Sequence, residues 1–193
     1  MIAYIQGKLV EKNPTDVVID CNGIGYLLNI SLHTYSQIPN QENIKLYTYL
    51  QIKEDSHSLF GFSTLAEKEI FKLLISVSGI GSSIARTMLS SLTPKQVREG
   101  IATSDVALIQ SIKGIGAKTA QRVILDLKDK VLKIYDIDEV SVSQNNTNKD
   151  EALSALEVLG FAKKQAEKVV DRIISTQTDA DVETIIKLAL KNL

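Results

Sequence analysis

The sequence predicts a multi-domain chain, β first and α afterwards: a small closed β-barrel, a helical segment built on a repeated hairpin, and a small three-helix domain. Three observations carry that prediction. The first 62 residues break into short β-branched and aromatic runs divided by turn residues such as Asn13-Pro14 and Asn22-Gly23. The block Ser76-Val-Ser-Gly-Ile-Gly-Ser-Ser-Ile-Ala85 returns 35 residues later as Ser111-Ile-Lys-Gly-Ile-Gly-Ala-Lys-Thr-Ala120, with five identities in ten positions. Finally, the polar stretch from Tyr135 to Asn148 interrupts all apolar periodicity before helical spacing resumes to the end of the chain.

In chain order, residues 1–62 offer the strands Ile2–Gln6, Val17–Cys21, Gly25–Ile30, Ile44–Gln51 and Ser58–Phe62, and five short strands suggest closure into a barrel. Lys53-Glu54-Asp55-Ser56-His57 reads as a hairpin tip, on residue type a solvated turn. Residues 63–136 hold the repeat. Ser63 or Thr64 is placed to cap the first helix, with Glu67 in position for a capping box; Thr93-Pro94 opens another helix and Ser104-Asp105 precedes the second copy. Residues 137–149 are too polar to bury surface that offsets ordering, and read as a flexible linker. Residues 150–193 supply helices at Glu151–Leu159, Lys163–Ser175 and Asp179–Asn192, the first stopped by Gly160.

Each copy of the repeat reads as helix, Gly-Ile-Gly turn, helix. Phe71, Leu74 and Ile75 precede the first glycine pair at helical spacing, and Ile84, Met88 and Leu89 follow it; Ile109, Ile112, Val123, Ile124 and Leu127 do the same around the second. Glycine can take positive φ and has no Cβ, so Gly79, Gly81, Gly114 and Gly116 let a phosphate approach the main chain, while Ile80 and Ile115 anchor the turns inward. The helix that starts behind each turn presents unpaired amides and the positive end of its dipole, which bind an anion without regard to base sequence. Lys118 and Arg122 add charge one helical turn apart.

Other uses of such glycines fit less well. A dinucleotide fingerprint needs a small residue where Ile84 and Thr119 stand, and a P-loop ending at Lys118-Thr119 needs glycine at Ile112 and Ala117. A plain αα-hairpin explains one isolated Gly-x-Gly. Duplication favours a pseudo-symmetric pair that grips both backbones of a duplex.

Composition is consistent with a globular DNA binder. Net charge is −1, yet residues 63–136 hold eleven basic against seven acidic residues, so positive charge gathers on the hairpin segment while the flanking segments are acidic. A lone cysteine, Cys21, excludes an internal disulfide and reads as a buried small hydrophobe; with two histidines there is no zinc-type ligand set. No apolar run has the length of a membrane span and Lys8 interrupts any signal-peptide core, so a cytoplasmic location is expected.

The paired blocks resemble helix-hairpin-helix motifs. Together with Met1-Ile-Ala-Tyr-Ile-Gln-Gly7, Gly23-Ile-Gly-Tyr26, Glu54-Asp55 followed by Leu59-Phe-Gly-Phe62, and Leu156-Glu-Val-Leu-Gly-Phe161, they make nearly the whole chain resemble the RuvA family. The resemblance implies an OB-like barrel, a tandem helix-hairpin-helix DNA-binding domain and a UBA-like three-helix domain. It implies a non-catalytic, cofactor-free subunit that binds Holliday junctions without sequence specificity. As a homotetramer, with two tetramers enclosing the junction as the larger form, such a subunit holds the junction open and planar. It recruits the hexameric ATPase RuvB for branch migration in recombination, DNA repair and the SOS response, and the resolvase RuvC is a further expected partner.

By the same resemblance, Gly79, Gly81, Ser83, Arg86, Gly114, Gly116, Lys118 and Arg122 contact DNA. Ser83 departs from the family pattern, which is basic there, and Arg86, about one helical turn on, is the candidate replacement. Glu54 and Asp55 match an acidic pair that projects into the junction centre and repels phosphate, and Leu156, Leu159, Phe161 and Leu190 are the expected docking set for RuvB. Two other classes remain: a structure-specific repair nuclease or lyase, for which the sequence offers no carboxylate cluster of nuclease spacing, and a general duplex-binding adaptor.

Overall fold

The computed structural model describes residues 2–39, 42–132, 148–177 and 180–193, except the side chains of 150 and 176. Residues 1–137 form one compact unit and 138–193 another.

The first unit opens with β1 (Tyr4–Lys12), β2 (Asp16–Cys21), β3 (Ile24–Asn29), α1 (Leu32–Gln37), β4 (Asn43–Ile52) and β5 (His57–Phe62). The strands close in the order β1-β2-β3-β5-β4; all pairs are antiparallel except β3 with β5, which meet in parallel at Asn29 and Phe60. Asn22 and Gly23 both take positive φ, 54° and 90°, and join β2 to β3 as the two-residue hairpin that Asn-Gly favours. Strand β1 outruns the predicted Ile2–Gln6 and continues through Gly7 to Lys12, because Gly7 stays paired with Ile44 in the ladder to β4 and does not open a turn. It bulges between Leu9 and Glu11. At Gly7 the strands approach so closely that a Cβ would lie 2.1 Å from the Asp20 carbonyl oxygen. Ile5, Val17, Ile19, Leu28, Ile30, Ile44, Leu46 and Leu59 fill the barrel. Helix α1, which the sequence reading did not find, is a six-residue turn capped by the Ser31 side chain. Cys21 is half-buried, not buried, and its Sγ donates to the Gln6 carbonyl at 3.3 Å.

Five helices complete the unit: α2 (Leu65–Ile75), α3 (Ser82–Ser91), α4 (Pro94–Ala102), α5 (Val106–Gln110) and α6 (Ala117–Leu132). Thr93 and Gln96 form a reciprocal capping box on α4, and Asp105 caps α5. Thr64, of the two candidates, caps α2, but Glu67 does not close the predicted box; its carboxylate turns the other way, into the barrel junction. Phe60 and Phe62 from β5 join the helical core, where Phe71 meets their rings at 5.1 and 5.0 Å and Tyr49 at 5.6 Å. Barrel and hairpins therefore share apolar contacts.

The second unit holds α7 (Asn148–Val158), α8 (Lys163–Thr176) and α9 (Val182–Asn192). Helix α7 ends in a Schellman motif: Gly160 has φ 95°, its N–H donates to Glu157, and the Phe161 N–H donates to Leu156. Asp181 caps α9. Asn148 and Lys149, expected in the linker, belong to the first turn of α7, and Asn148 donates to the Ala180 carbonyl at 3.0 Å. The remainder of the expected linker lies outside the described residues.

Candidate nucleic-acid interface

The repeat in sequence is a repeat in hydrogen bonding. In the first turn the Ile80 N–H donates to Val77 at 3.0 Å, and in the second the Ile115 N–H donates to Ile112 at 3.1 Å; the helices behind them open with Ala85 to Gly81 at 3.0 Å and Ala120 to Gly116 at 2.9 Å. Ile80 and Ile115 are buried, as their anchoring role requires. The glycines divide into two kinds. Gly79 and Gly114 hold φ at 95° and 94°, in the third position of their turns, where a side chain is strained. Gly81 and Gly116 do not take positive φ, contrary to the sequence reading, and an added Cβ at either would meet nothing within 4 Å. Nothing within 4 Å inside the protein calls for glycine at Gly81 or Gly116, and the absent Cβ leaves the main chain open to a close approach from outside.

The start of α3 differs from those of its neighbours. Side chains cap α1, α2, α4 and α5, but α3 starts at Gly81 with no side-chain cap. Its first-turn amides are left for another acceptor.

Charge is not shared equally by the two turns. Lys113, Lys118 and Arg122 are all exposed around the second. Arg122 spends one of its five donors on the Ser78 carbonyl, 3.1 Å away, and so ties the second hairpin to the first turn. Ser83 is exposed and uncharged. Arg86, the candidate replacement, is half-buried and turns its guanidinium toward the barrel, where Nη1 donates to Asn29 Oδ1 at 3.0 Å and to the Thr15 carbonyl at 3.3 Å. Hydrogen bonds from Asn13 and then Thr15, with the Arg86 charge assisting, hold the nearby Asp16 carboxyl below the usual carboxylate range. Lys113 is the residue the sequence reading passed over; aligning the two copies, where Ser78 is its counterpart, would have found it.

Glu54 and Asp55 stand exposed at the β4–β5 tip, closed by the Lys53 N–H donating to Ser56 at 2.8 Å. Among the described residues neither acid has a cationic partner. Three residues before Glu54, Gln51 Oε1 accepts from Ser82 Oγ at 2.8 Å, so the base of the tip is bonded to the first turn of α3.

In the second unit the expected docking set splits. Leu156 is fully buried among Ala152, Leu153, Ala166 and Val170, because it faces inward on α7, and it offers no surface. Phe161 is half-buried against that core, whereas Leu159 and Leu190 are 57% and 45% exposed. Val158, outside the expected set, is 86% exposed.

No group of three or more His, Cys, Asp or Glu among the described residues is arranged to hold a metal ion, and no described helix is long and apolar enough to cross a membrane.

Comparison with known proteins covers almost the whole chain. Residues 1–61 match the RuvA N terminal domain, residues 71–129 the SAM-like helix-hairpin-helix tandem, and residues 147–193 the RuvA C-terminal domain. A protein of Flavobacterium psychrophilum is 72% identical over the full length of both chains, and one of Christiangramia forsetii is 65% identical, also over both full lengths. A protein of Cytophaga hutchinsonii is 51% identical over 99% of each chain. All three carry the name Holliday junction branch migration complex subunit RuvA.

Proposed function

The chain belongs to the RuvA family, and on that premise we propose that it binds four-way DNA junctions through the two hairpin turns and keeps them open around the acidic tip. Gly81 and Gly116 carry this reading: each lacks an internal reason to be glycine and opens a helix. Two such turns, linked through Arg122 and Ser78, suit two phosphate backbones and no particular base sequence. Lys113, Lys118 and Arg122 supply the electrostatic attraction. Glu54 and Asp55, exposed and without a cationic partner among the described residues, discourage duplex from crossing the centre.

The protein works as a non-catalytic subunit. Four copies surround the junction, and exposed Val10 and Leu27 on the outside of the barrel support contact between copies. Movement of the DNA comes from an ATPase of the RuvB type, recruited by the second unit through Val158, Leu159 and Leu190; RuvC acts on the same junction. A plain duplex adaptor is the competing reading. The two separate in a competition assay at fixed salt: four-way DNA should displace labelled linear duplex at far lower concentration than unlabelled duplex does, and equal competition would sink the proposal.

A further inference from the structure

The first unit contains a buried carboxylate that the binding surface does not use. Glu67 is 0% exposed, and among the described residues no cation pairs with it. Ser31 Oγ donates to its Oε1 at 2.5 Å; Thr34 Oγ1 donates to Oε2 at 2.6 Å, and the Ser63 N–H and Oγ reach the same oxygen at 3.3 and 3.2 Å. Ser31 and Thr34 are themselves 2% and 0% exposed. A carboxylate without a counter-ion persists in such a place only when donors satisfy it, and these come from two separate stretches of chain.

Their location is what matters. Ser63 directly follows β5, whose far end carries the acidic tip, and Glu67 lies in the first turn of α2, whose far end leads into the first Gly-Ile-Gly turn. We propose that Glu67 is a positioning residue for junction specificity: it fixes the angle between the strand that carries Glu54 and Asp55 and the helix that carries the first phosphate-binding turn. The inference rests on the function proposed above and deepens it. The Phe60, Phe62 and Phe71 cluster holds the joint together without direction, and single hydrogen bonds from Ser82 to Gln51 and from Arg86 to Asn29 and the Thr15 carbonyl tie the barrel to α3; at α2 itself, buried hydrogen bonds to both carboxylate oxygens of Glu67 set the orientation. The arm is long: six residues of β5 span roughly 20 Å, so a rotation of about 10° at the joint moves the tip by roughly 3 Å. That is as large as a hydrogen bond, enough to misplace the acids at the junction centre while both hairpins, held by the helical core, still grip a duplex.

The test uses the full chain and needs no drastic variant. Thr34→Val keeps the shape of the side chain and removes the hydroxyl; Thr34→Ser keeps the hydroxyl; Glu67→Gln keeps the length and replaces one acceptor by a donor. Spin labels at Lys53→Cys and Ser83→Cys, in a Cys21→Ser background, report the distance from tip to turn by pulsed electron resonance, and DNA affinities are measured in parallel on unlabelled chains that keep Cys21, Lys53 and Ser83. The parent and Thr34→Ser should give one narrow distance distribution. Thr34→Val and Glu67→Gln should shift or broaden it by about 3 Å and lower the junction-over-duplex preference about tenfold, with duplex affinity within about twofold of parental. An unchanged distribution in folded Thr34→Val overturns the inference, as does a broadened one with full junction preference. Should Glu67→Gln not fold, the Thr34→Val and Thr34→Ser pair decides alone. A parent that shows no junction preference overturns the proposed function instead, and the distance measurement still decides whether Glu67 sets the joint.

Discussion

At Gly81 and Gly116 a missing Cβ serves something other than the fold, and substitution separates the two uses of glycine in each turn. Gly81→Ala and Gly116→Ala should leave the thermal midpoint near parental, because the new methyl meets no neighbour, yet weaken DNA binding by occupying the phosphate's place. Gly79→Ala and Gly114→Ala should instead cost about 1 kcal/mol of stability, the penalty for a side chain at positive φ. Melting curves and fluorescence anisotropy on the same samples make the comparison, and unaltered affinity in Gly116→Ala would remove the second turn from the interface. For charge, Lys118→Ala should weaken binding to every DNA sequence alike and reduce the salt slope by about 0.9. Arg122→Ala should do more, since it also releases the Ser78 carbonyl. A loss confined to particular base sequences would contradict backbone recognition for both. The motif itself was legible in the sequence because turn chemistry is local; that only Gly79 and Gly114 use positive φ was not, since Gly-x-Gly permits either glycine to do so.

Among the elements, the β4–β5 tip gives opposite signs for attraction and repulsion. Two carboxylates close to phosphate oppose binding, each by on the order of 1 kcal/mol at 4 Å in water, and salt reduces that. Changing Glu54 to Gln and Asp55 to Asn should therefore tighten binding to linear duplex, by roughly fivefold per charge, and shrink the preference for the junction. Binding constants for both DNAs at one salt concentration check it; a double variant with parental duplex affinity and intact preference would make the tip an ordinary solvated turn. The tip was recognisable from the sequence as a turn, and only the resemblance to a family gave its acids a role. Arg86 could not be placed in this way. Its distance from Ser83 along α3 suggested a substitute for a missing base, but the facing element is the barrel, and Asn29 and the Thr15 carbonyl take the guanidinium.

For the whole molecule, the division between residues 1–137 and 138–193 predicts separable activities. A chain ending at residue 146 should fold, assemble and bind junctions with parental affinity, and should fail to stimulate branch migration by a RuvB-type motor. In the full chain, Leu159→Asp should have the same selective effect, because Leu159 is 57% exposed and its replacement leaves the core intact; Leu156→Asp should unfold the second unit, since Leu156 is fully buried. Junction binding, motor stimulation and helix content by circular dichroism distinguish the cases. Full stimulation by folded Leu159→Asp would move the docking surface elsewhere.

The sequence by itself determined what acts over a few residues: the five strands and their Asn-Gly turn, the two Gly-Ile-Gly turns, the helix start at Thr93-Pro94, and the stop at Gly160. Period, propensity and turn chemistry are properties of short stretches, so they can be read without partners. The tertiary structure alone decided where the longer polar side chains went. Glu67 fits a capping box three residues from Thr64, but once the barrel closes it is buried against Ser31 and Thr34, more than thirty positions away, and a buried carboxylate must take the donors it finds there. Arg86 bonds a carbonyl 71 residues distant and Arg122 one 44 residues distant, separations at which no local pattern carries information. Leu156 and Leu159 look alike in sequence, yet one faces the packed side of α7 and the other lies at the helix end, just before the Gly160 stop, so burial was settled only by how three helices met.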